Sequence, residues 1–137
     1  MTSARQLDDP VRVLLVDDTP DLCELMKLAL ERTGDFKVVA VAGNGLEGIE
    51  LASSHSPDLV LLDISMPVMD GLEALPVLRQ VCPRAKVVML SGFGPQEMAR
   101  ITADRGAHGY LQKGRPMRDL LGELHRVIAG SEVPDEG

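Results

Sequence analysis

The chain has almost no aromatic residues: no tryptophan, one tyrosine and two phenylalanines in 137 residues. A core of stacked rings is excluded, so the 45% of hydrophobic residues must pack chiefly as Val, Leu, Ile, Ala and Met. Cysteine is scarce as well. Cys23 and Cys82 lie far apart in apolar contexts and match no metal-ligand spacing. They read as reduced core residues of a cytosolic protein, which leaves no disulfide framework and no zinc module. No apolar run approaches the ~18 residues of a membrane span, and no signal peptide is evident. The expectation is a cytoplasmic protein without membrane contact. Basic charge is also short, with 14 Lys and Arg against 21 Asp and Glu, a formal net charge of −7. A surface of that sign repels a phosphate backbone, so direct nucleic-acid binding by this segment is not expected.

A length of 137 residues suits one domain, and such a chain buries roughly two-thirds of its unfolded surface without staples. Residues 1–10 lack apolar periodicity and end in Pro, and residues 130–137 are similarly polar. Both are expected to be tails or linkers around a domain at 11–129. Within it, strand and helix signals alternate. Val11 to Val16 is an apolar run. Thr19 can then cap a helix carrying Leu22, Leu25, Met26, Ala29 and Leu30, which Gly34 stops. Phe36 to Ala42 reads as a strand and Asn44 to about Ala52 as a helix. Leu59 to Leu62 is a third strand, ending in Asp63, and Asp70 caps a helix from about Gly71 to Val81. Lys86 to Leu90 is a fourth strand, followed by a polar helix from Pro95 to about Arg105. Gly109 to Leu111 is a short strand, and the last helix spans about Pro116 to Ala129. Pro76, inside the third helix, should kink or shorten it.

The strands are continuous apolar runs, which means burial on both faces. The expected fold is a doubly wound α/β domain: five parallel strands in the common order 2-1-3-4-5, with helices on each side. In such sheets ligands bind at the carboxyl ends of the strands, where strand order reverses. Asp17 and Asp18 follow the first strand, Asp63 the third, Ser91 the fourth and Lys113 the fifth. Three clustered carboxylates repel one another unless a cation neutralises them, and hard oxygen ligands suit Mg²⁺, with Mn²⁺ as a substitute. A carboxylate can attack phosphorus, a lysine can neutralise charge, and a hydroxyl can donate to phosphoryl oxygens. The residue types match a phosphoryl-accepting pocket.

The segments VRVLLVDD, DLVLLDISMPVMDGLEAL, KVVMLSG and GYLQK, in that order and spacing over about residues 11–129, resemble the receiver domain of bacterial two-component response regulators. The resemblance implies a flavodoxin-like fold with Asp63 as phosphoacceptor and Asp17 and Asp18 as the acidic pair for Mg²⁺. It further implies that Ser65 offers its backbone carbonyl to the metal, that Ser91 and Tyr110 are the switch pair, and that Lys113 pairs with the phosphoryl group. The implied partner is a sensor histidine kinase. The implied output surface, and dimer face on phosphorylation, is made by the fourth helix, fifth strand and fifth helix. Such a domain is a phosphoacceptor rather than an enzyme in the ordinary sense, though it can catalyse its own phosphorylation and dephosphorylation. Gly114, where most receivers have proline, and the GLEAL and GAHGYLQKG segments resemble receivers that precede a helix-turn-helix output domain.

Each residue has a plainer reading when taken singly. Asp17 and Asp18 could merely favour a helix N-terminus, Ser91 could satisfy a loop amide, and Lys113 could be a solvated charge. Pro67, Met69, Asp70 and Gly71 could be turn chemistry. The conjunction at the required strand ends is what points to a site. Gly43, Gly45 and Gly48 form a GxGxxG string, but after the second strand rather than the first, and read as a turn and helix start. His55, His108 and His125 have no ligand spacing. Two other classes remain: the N-terminal half of a DNA-binding transcriptional regulator, and a small flavodoxin-fold enzyme or nucleotide binder. The latter lacks a phosphate-cradling loop after the first strand, where DDTPD stands instead.

Overall fold

The computed structural model describes residues 9–130. Five strands, β1 (Val11–Val16), β2 (Phe36–Ala42), β3 (Leu59–Asp63), β4 (Lys86–Ser91) and β5 (Gly109–Gln112), form one sheet in the order β2-β1-β3-β4-β5. All four pairings are parallel, as the apolar runs require. The helices are α1 (Pro20–Arg32), α2 (Gly45–His55), α3 (Gly71–Val81), α4 (Pro95–Asp104) and α5 (Met117–Gly130).

Side-chain alternation along each strand divides the core in two. Val13, Leu15, Leu59, Leu61, Val88 and Leu90 meet α1 and α5 through Met26, Leu30, Leu120 and Leu124. Their neighbours Leu14, Val16, Val60, Leu62, Val87 and Met89 turn the other way and meet α2 and α3 through Ala52, Ala74, Leu75 and Leu78. Both cysteines are buried and free. Among the described residues, no helix is long and apolar enough to cross a membrane.

Local chemistry differs from expectation in a few places. Thr19 occupies the N-cap position of α1, yet its side chain makes no capping hydrogen bond. Gly34 ends that helix with φ +80°, a left-handed conformation that glycine adopts without strain. α2 continues to His55, three residues past the sequence boundary, and is capped by Asn44 Oδ1 accepting from the Glu47 amide. α3 runs unbroken through Pro76, and no shortening occurs. Pro76 is exposed, and the Leu72 carbonyl it leaves without an amide partner accepts from Arg105 Nη1 at 3.4 Å. Gly130 belongs to α5 rather than to a tail. The rest of the expected tails, 1–8 and 131–137, lies outside the described residues.

Candidate functional site

The pocket forms where β1 and β3 end side by side. Val16 pairs with Leu62, so the next residues, Asp17 and Asp63, leave adjacent strand ends in register. Asp17 is held by its amide donating to the Ala42 carbonyl at 2.9 Å and by its Oδ1 accepting from the Thr19 amide at 2.9 Å. It is 7% exposed and Asp63 is 4% exposed, whereas Asp18 lies in solvent. Carboxylate oxygens of Asp17, Asp18 and Asp63 come within 4.8 Å of one another.

Lys113 starts two strands away from Asp63, about 10 Å at ordinary strand spacing, so only a long side chain can span β4 and arrive there. Its amide donates to the Ser91 carbonyl at 2.7 Å, which anchors its backbone to the end of β4. Its Nζ lies 3.0 Å from Asp17 Oδ2 and 3.2 Å from Asp63 Oδ1. The following Gly114 turns the chain with φ +93°, a left-handed conformation that glycine adopts without strain.

The electrostatics follow from this crowding. Burial and then the neighbouring Asp17 charge raise the Asp63 carboxyl above its ordinary value, and Lys113 only partly offsets them. Burial alone would lower Lys113, but hydrogen bonding and charge from Asp17 and Asp63 outweigh it and hold the ammonium above its usual value. Cys23, whose Sγ donates to the Asp17 carbonyl at 3.6 Å, is pushed up to about 11 by burial and then by Asp17, so it stays a thiol. Among the described residues Asp17 Oδ2, which is buried, has no well-aligned hydrogen-bond partner and receives the ion contact from Lys113. A buried oxygen of that kind, beside two further carboxylates, fits a hard, oxygen-seeking divalent cation such as Mg²⁺.

The remaining expected residues stand nearby, with different contacts. Ser65 touches the site through its amide, 3.4 Å from Asp63 Oδ1. Ser91 is 2% exposed and its Oγ accepts from the Phe93 amide at 3.1 Å. Tyr110, opposite Met89 on β5, packs on the sheet face that carries α2 and α3, and its hydroxyl donates to the Phe93 carbonyl at 2.7 Å. Ser91 and Tyr110 thus hold opposite ends of the same residue.

Sequence reasoning missed the role of Gly71. A Cβ there would lie 2.1 Å from the Asp63 carbonyl oxygen, and the Gly71 amide donates to the Ile64 carbonyl at 2.8 Å. The N-terminus of α3 is therefore pressed against the backbone of Asp63, a closeness that turn residues alone do not announce. The capping box between Asp70 and Glu73 fixes that helix start. The GxGxxG string resolves as packing: added Cβ atoms at Gly45 and Gly48 would meet the Met69 carbonyl at 2.7 Å and Val16 at 3.0 Å.

A doubly wound sheet with acidic residues and a bridging lysine at its carboxyl edge defines a small class of domains. The chain belongs to the response regulator receiver domain family, matched over residues 13–125, and is a receiver domain of two-component, phosphorylation-based signalling. It is 42% identical over 128 residues to the nitrate/nitrite response regulator protein NarL of Escherichia coli K12, covering 93% of this chain and 59% of that protein. The chain thus spans about three-fifths of the length of that relative. Identity to the chemotaxis protein CheY of Bacillus subtilis is 40% over 117 residues, covering 85% of this chain and 97% of CheY. A LuxR-family two-component response regulator from Aurantimonas sp. SI85-9A1 superposes with a TM-score of 0.83 at 29% identity, covering 88% of this chain and 86% of that one. CheY in the CheX–CheY–BeF3–Mg²⁺ complex from Borrelia burgdorferi is similar at a TM-score of 0.80 and 27% identity, with 86% and 89% covered.

Proposed function

We propose that Asp63 accepts a phosphoryl group from the phosphohistidine of a partner sensor histidine kinase. The observation that carries this reading is the convergence of Lys113, Asp17 and Asp18 on the buried carboxylate of Asp63. The contacts to Asp63 from Lys113 Nζ and the Ser65 amide both fall on Oδ1, which leaves Oδ2 to attack. The new bond joins Oδ2 to phosphorus, the phosphorus–nitrogen bond breaks, and its electron pair returns to the kinase imidazole. Asp17, Asp18, Asp63 and the Ser65 carbonyl would hold Mg²⁺, whose charge neutralises phosphoryl oxygens. The BeF3 and Mg²⁺ in the similar CheY complex support both assignments by analogy.

Lys113 then transfers its ion contact from Asp63 to the phosphoryl oxygens, and the Ser91 hydroxyl turns to donate to them. That turn releases the Phe93 amide, and with it the peptide that anchors the Tyr110 hydroxyl. A local charge change is thereby converted into movement of the α4, β5 and α5 surface, the proposed output face. Water attack on the same phosphorus returns the domain to its resting state, so slow self-dephosphorylation belongs to the proposal. Residues 11–129 form the receiver, acting in the cytoplasm as one part of a regulator. Similarity to relatives named as transcriptional regulators in Pseudomonas aeruginosa and Bordetella pertussis supports a transcriptional output.

Incubation with Mg²⁺ and acetyl phosphate, followed by intact mass measurement, tests the reading. Wild type should gain one phosphoryl group, and chelation or Asp63→Asn should prevent the gain. Unchanged phosphorylation of the Asn variant would place the acceptor elsewhere.

A further inference from the structure

Among the described residues α4 is the least embedded helix. It buries Thr102 alone, where each of the other four buries at least two residues. Its first turn is open. Gly94 offers no side-chain cap, Pro95, Gln96 and Glu97 are exposed, and a Cβ at Gly92 would meet nothing within 4 Å. Its other end is held by α3, which engages Arg105 and Gly106, the two residues that follow α4.

The hold comes from one stripe of α3, formed by Leu72, Pro76 and Arg79 at spacings of four and three. The amide that would close on the Leu72 carbonyl belongs to residue 76, and proline has none. Arg105, 33 residues away, donates to that carbonyl from Nη1 at 3.4 Å. Beside it Arg79 lies across Gly106, where a Cβ would stand 3.0 Å from Arg79 Cγ. The far end of Arg79 donates from Nη1 to the Pro83 carbonyl at 3.2 Å. Proline in a helix interior is strongly unfavourable, and a long bond in solvent recovers little of that loss. Such a contact suits a latch better than a support.

We infer that Pro76 and Arg105 form an autoinhibitory clasp: Arg105 on the Leu72 carbonyl holds α4 in the unphosphorylated arrangement, and phosphorylation of Asp63 opens it. The inference rests on the proposed acceptance at Asp63 and the movement of α4 that follows it. The buried Thr102 is the pivot. About 10 Å of helix separates it from Pro95, and about 4.5 Å separates it from Arg105. A swing of about 3 Å at the first turn, beside Ser91 and Phe93, therefore moves Arg105 by roughly 1 Å the other way. A bond already at 3.4 Å does not survive that displacement. The contact favours the resting state, and by linkage its loss favours phosphorylation.

Phosphoryl gain from acetyl phosphate and Mg²⁺, timed by intact mass on the full chain, tests the clasp together with thermal melts. Arg105→Ala removes the donor, and Pro76→Ala returns an amide to the Leu72 carbonyl. Each should speed phosphorylation about two- to fivefold, and the double variant should go no faster than either. Their melts should part: Pro76→Ala raises the midpoint, because alanine suits a helix interior, and Arg105→Ala does not. A shared gain in rate with divergent stability is not the signature of general loosening. Arg100→Ala, which takes the same charge from the exposed side of α4, should leave the rate as it was. A wild-type rate in either clasp variant would overturn the clasp and leave acceptance at Asp63 standing. Additive gains in the double variant, or equal acceleration by Arg100→Ala, would overturn it as well. No phosphoryl gain by wild type would overturn the acceptor reading first, and the clasp with it.

Discussion

At the scale of single residues, Asp63 and Lys113 have opposite effects on stability. Asp63 has a folded-state pKa above its unfolded value, so its stabilising contribution exists only at acid pH and is lost as pH rises through the folded value. At neutral pH its charge is a burden on the fold. Asp63→Asn should therefore raise the thermal midpoint by a few degrees, on the order of 1 kcal/mol, in calorimetry without Mg²⁺. A lower midpoint would mean that Lys113 fully compensates the burial. Lys113 is also raised, and its stabilisation persists until pH climbs through its folded pKa. Lys113→Ala leaves two buried carboxylates without a cation and should cost about 1–3 kcal/mol, discounted for the partial exposure of the lysine. Combined with Asp63→Asn, that cost should shrink, because one of the stranded charges is gone. Asp17, Asp18, Asp63, Ser91 and Lys113 were legible as residue types at strand ends. Which of them is buried, and which takes the bridging contact, was not, because burial depends on how far each side chain leans under its neighbours.

At the scale of elements, the join between β3 and α3 is the tightest point near the site. Gly71→Ala would force a methyl against the Asp63 carbonyl oxygen. The change should cost about 2–4 kcal/mol in urea unfolding and should impair phosphorylation through displacement of Asp63. A variant of wild-type stability would show that α3 can retreat freely. At the opposite end of the sheet, β4 and β5 are closed by His108. Its Nδ1 accepts from the Val87 amide at 3.0 Å and its own amide donates to the Val87 carbonyl at 2.7 Å. Only neutral imidazole can accept in this way, and burial, with Arg79 and Lys86 nearby, brings its pKa down to about 4. The stabilisation is full above the unfolded value of about 6.5 and is lost as pH falls through the folded one. Urea titrations at about pH 7 and pH 4.5 should show wild type losing more stability than His108→Asn, whose side-chain oxygen accepts without titrating. Parallel losses would remove His108 as the source. Element boundaries were largely legible from period and caps. Two local readings missed their mark. Thr19 stands at the N-cap without a capping bond, its amide donating instead to the Asp17 carboxylate two residues back. Pro76 does not shorten α3, where Arg105, remote in sequence, satisfies the Leu72 carbonyl.

At the scale of the molecule, the sheet is shared by both halves of the core, so the two halves cannot come apart independently. Leu75→Ala, on the α3 side, and Leu124→Ala, on the α5 side, each remove a fully buried side chain and should cost about 2–5 kcal/mol. Unfolding followed by circular dichroism and by Tyr110 fluorescence should remain coincident in both variants. A separated transition for either would show that one helical layer melts alone. The same sharing links site to surface, since β4 carries Ser91 while β5 carries Tyr110 and leads directly into Lys113.

The sequence by itself determined the α/β alternation and the parallel sheet, because strands buried on both faces must be apolar throughout. It also determined the residue types at the strand ends, because the residues at the carboxyl ends of β1, β3, β4 and β5 meet at the sheet edge. Only the tertiary structure decided that Lys113 crosses β4 to bridge Asp17 and Asp63, and that Gly71 must lie against the Asp63 backbone. Those outcomes depend on distances between elements remote in sequence, and periodicity, capping and composition carry no record of such distances.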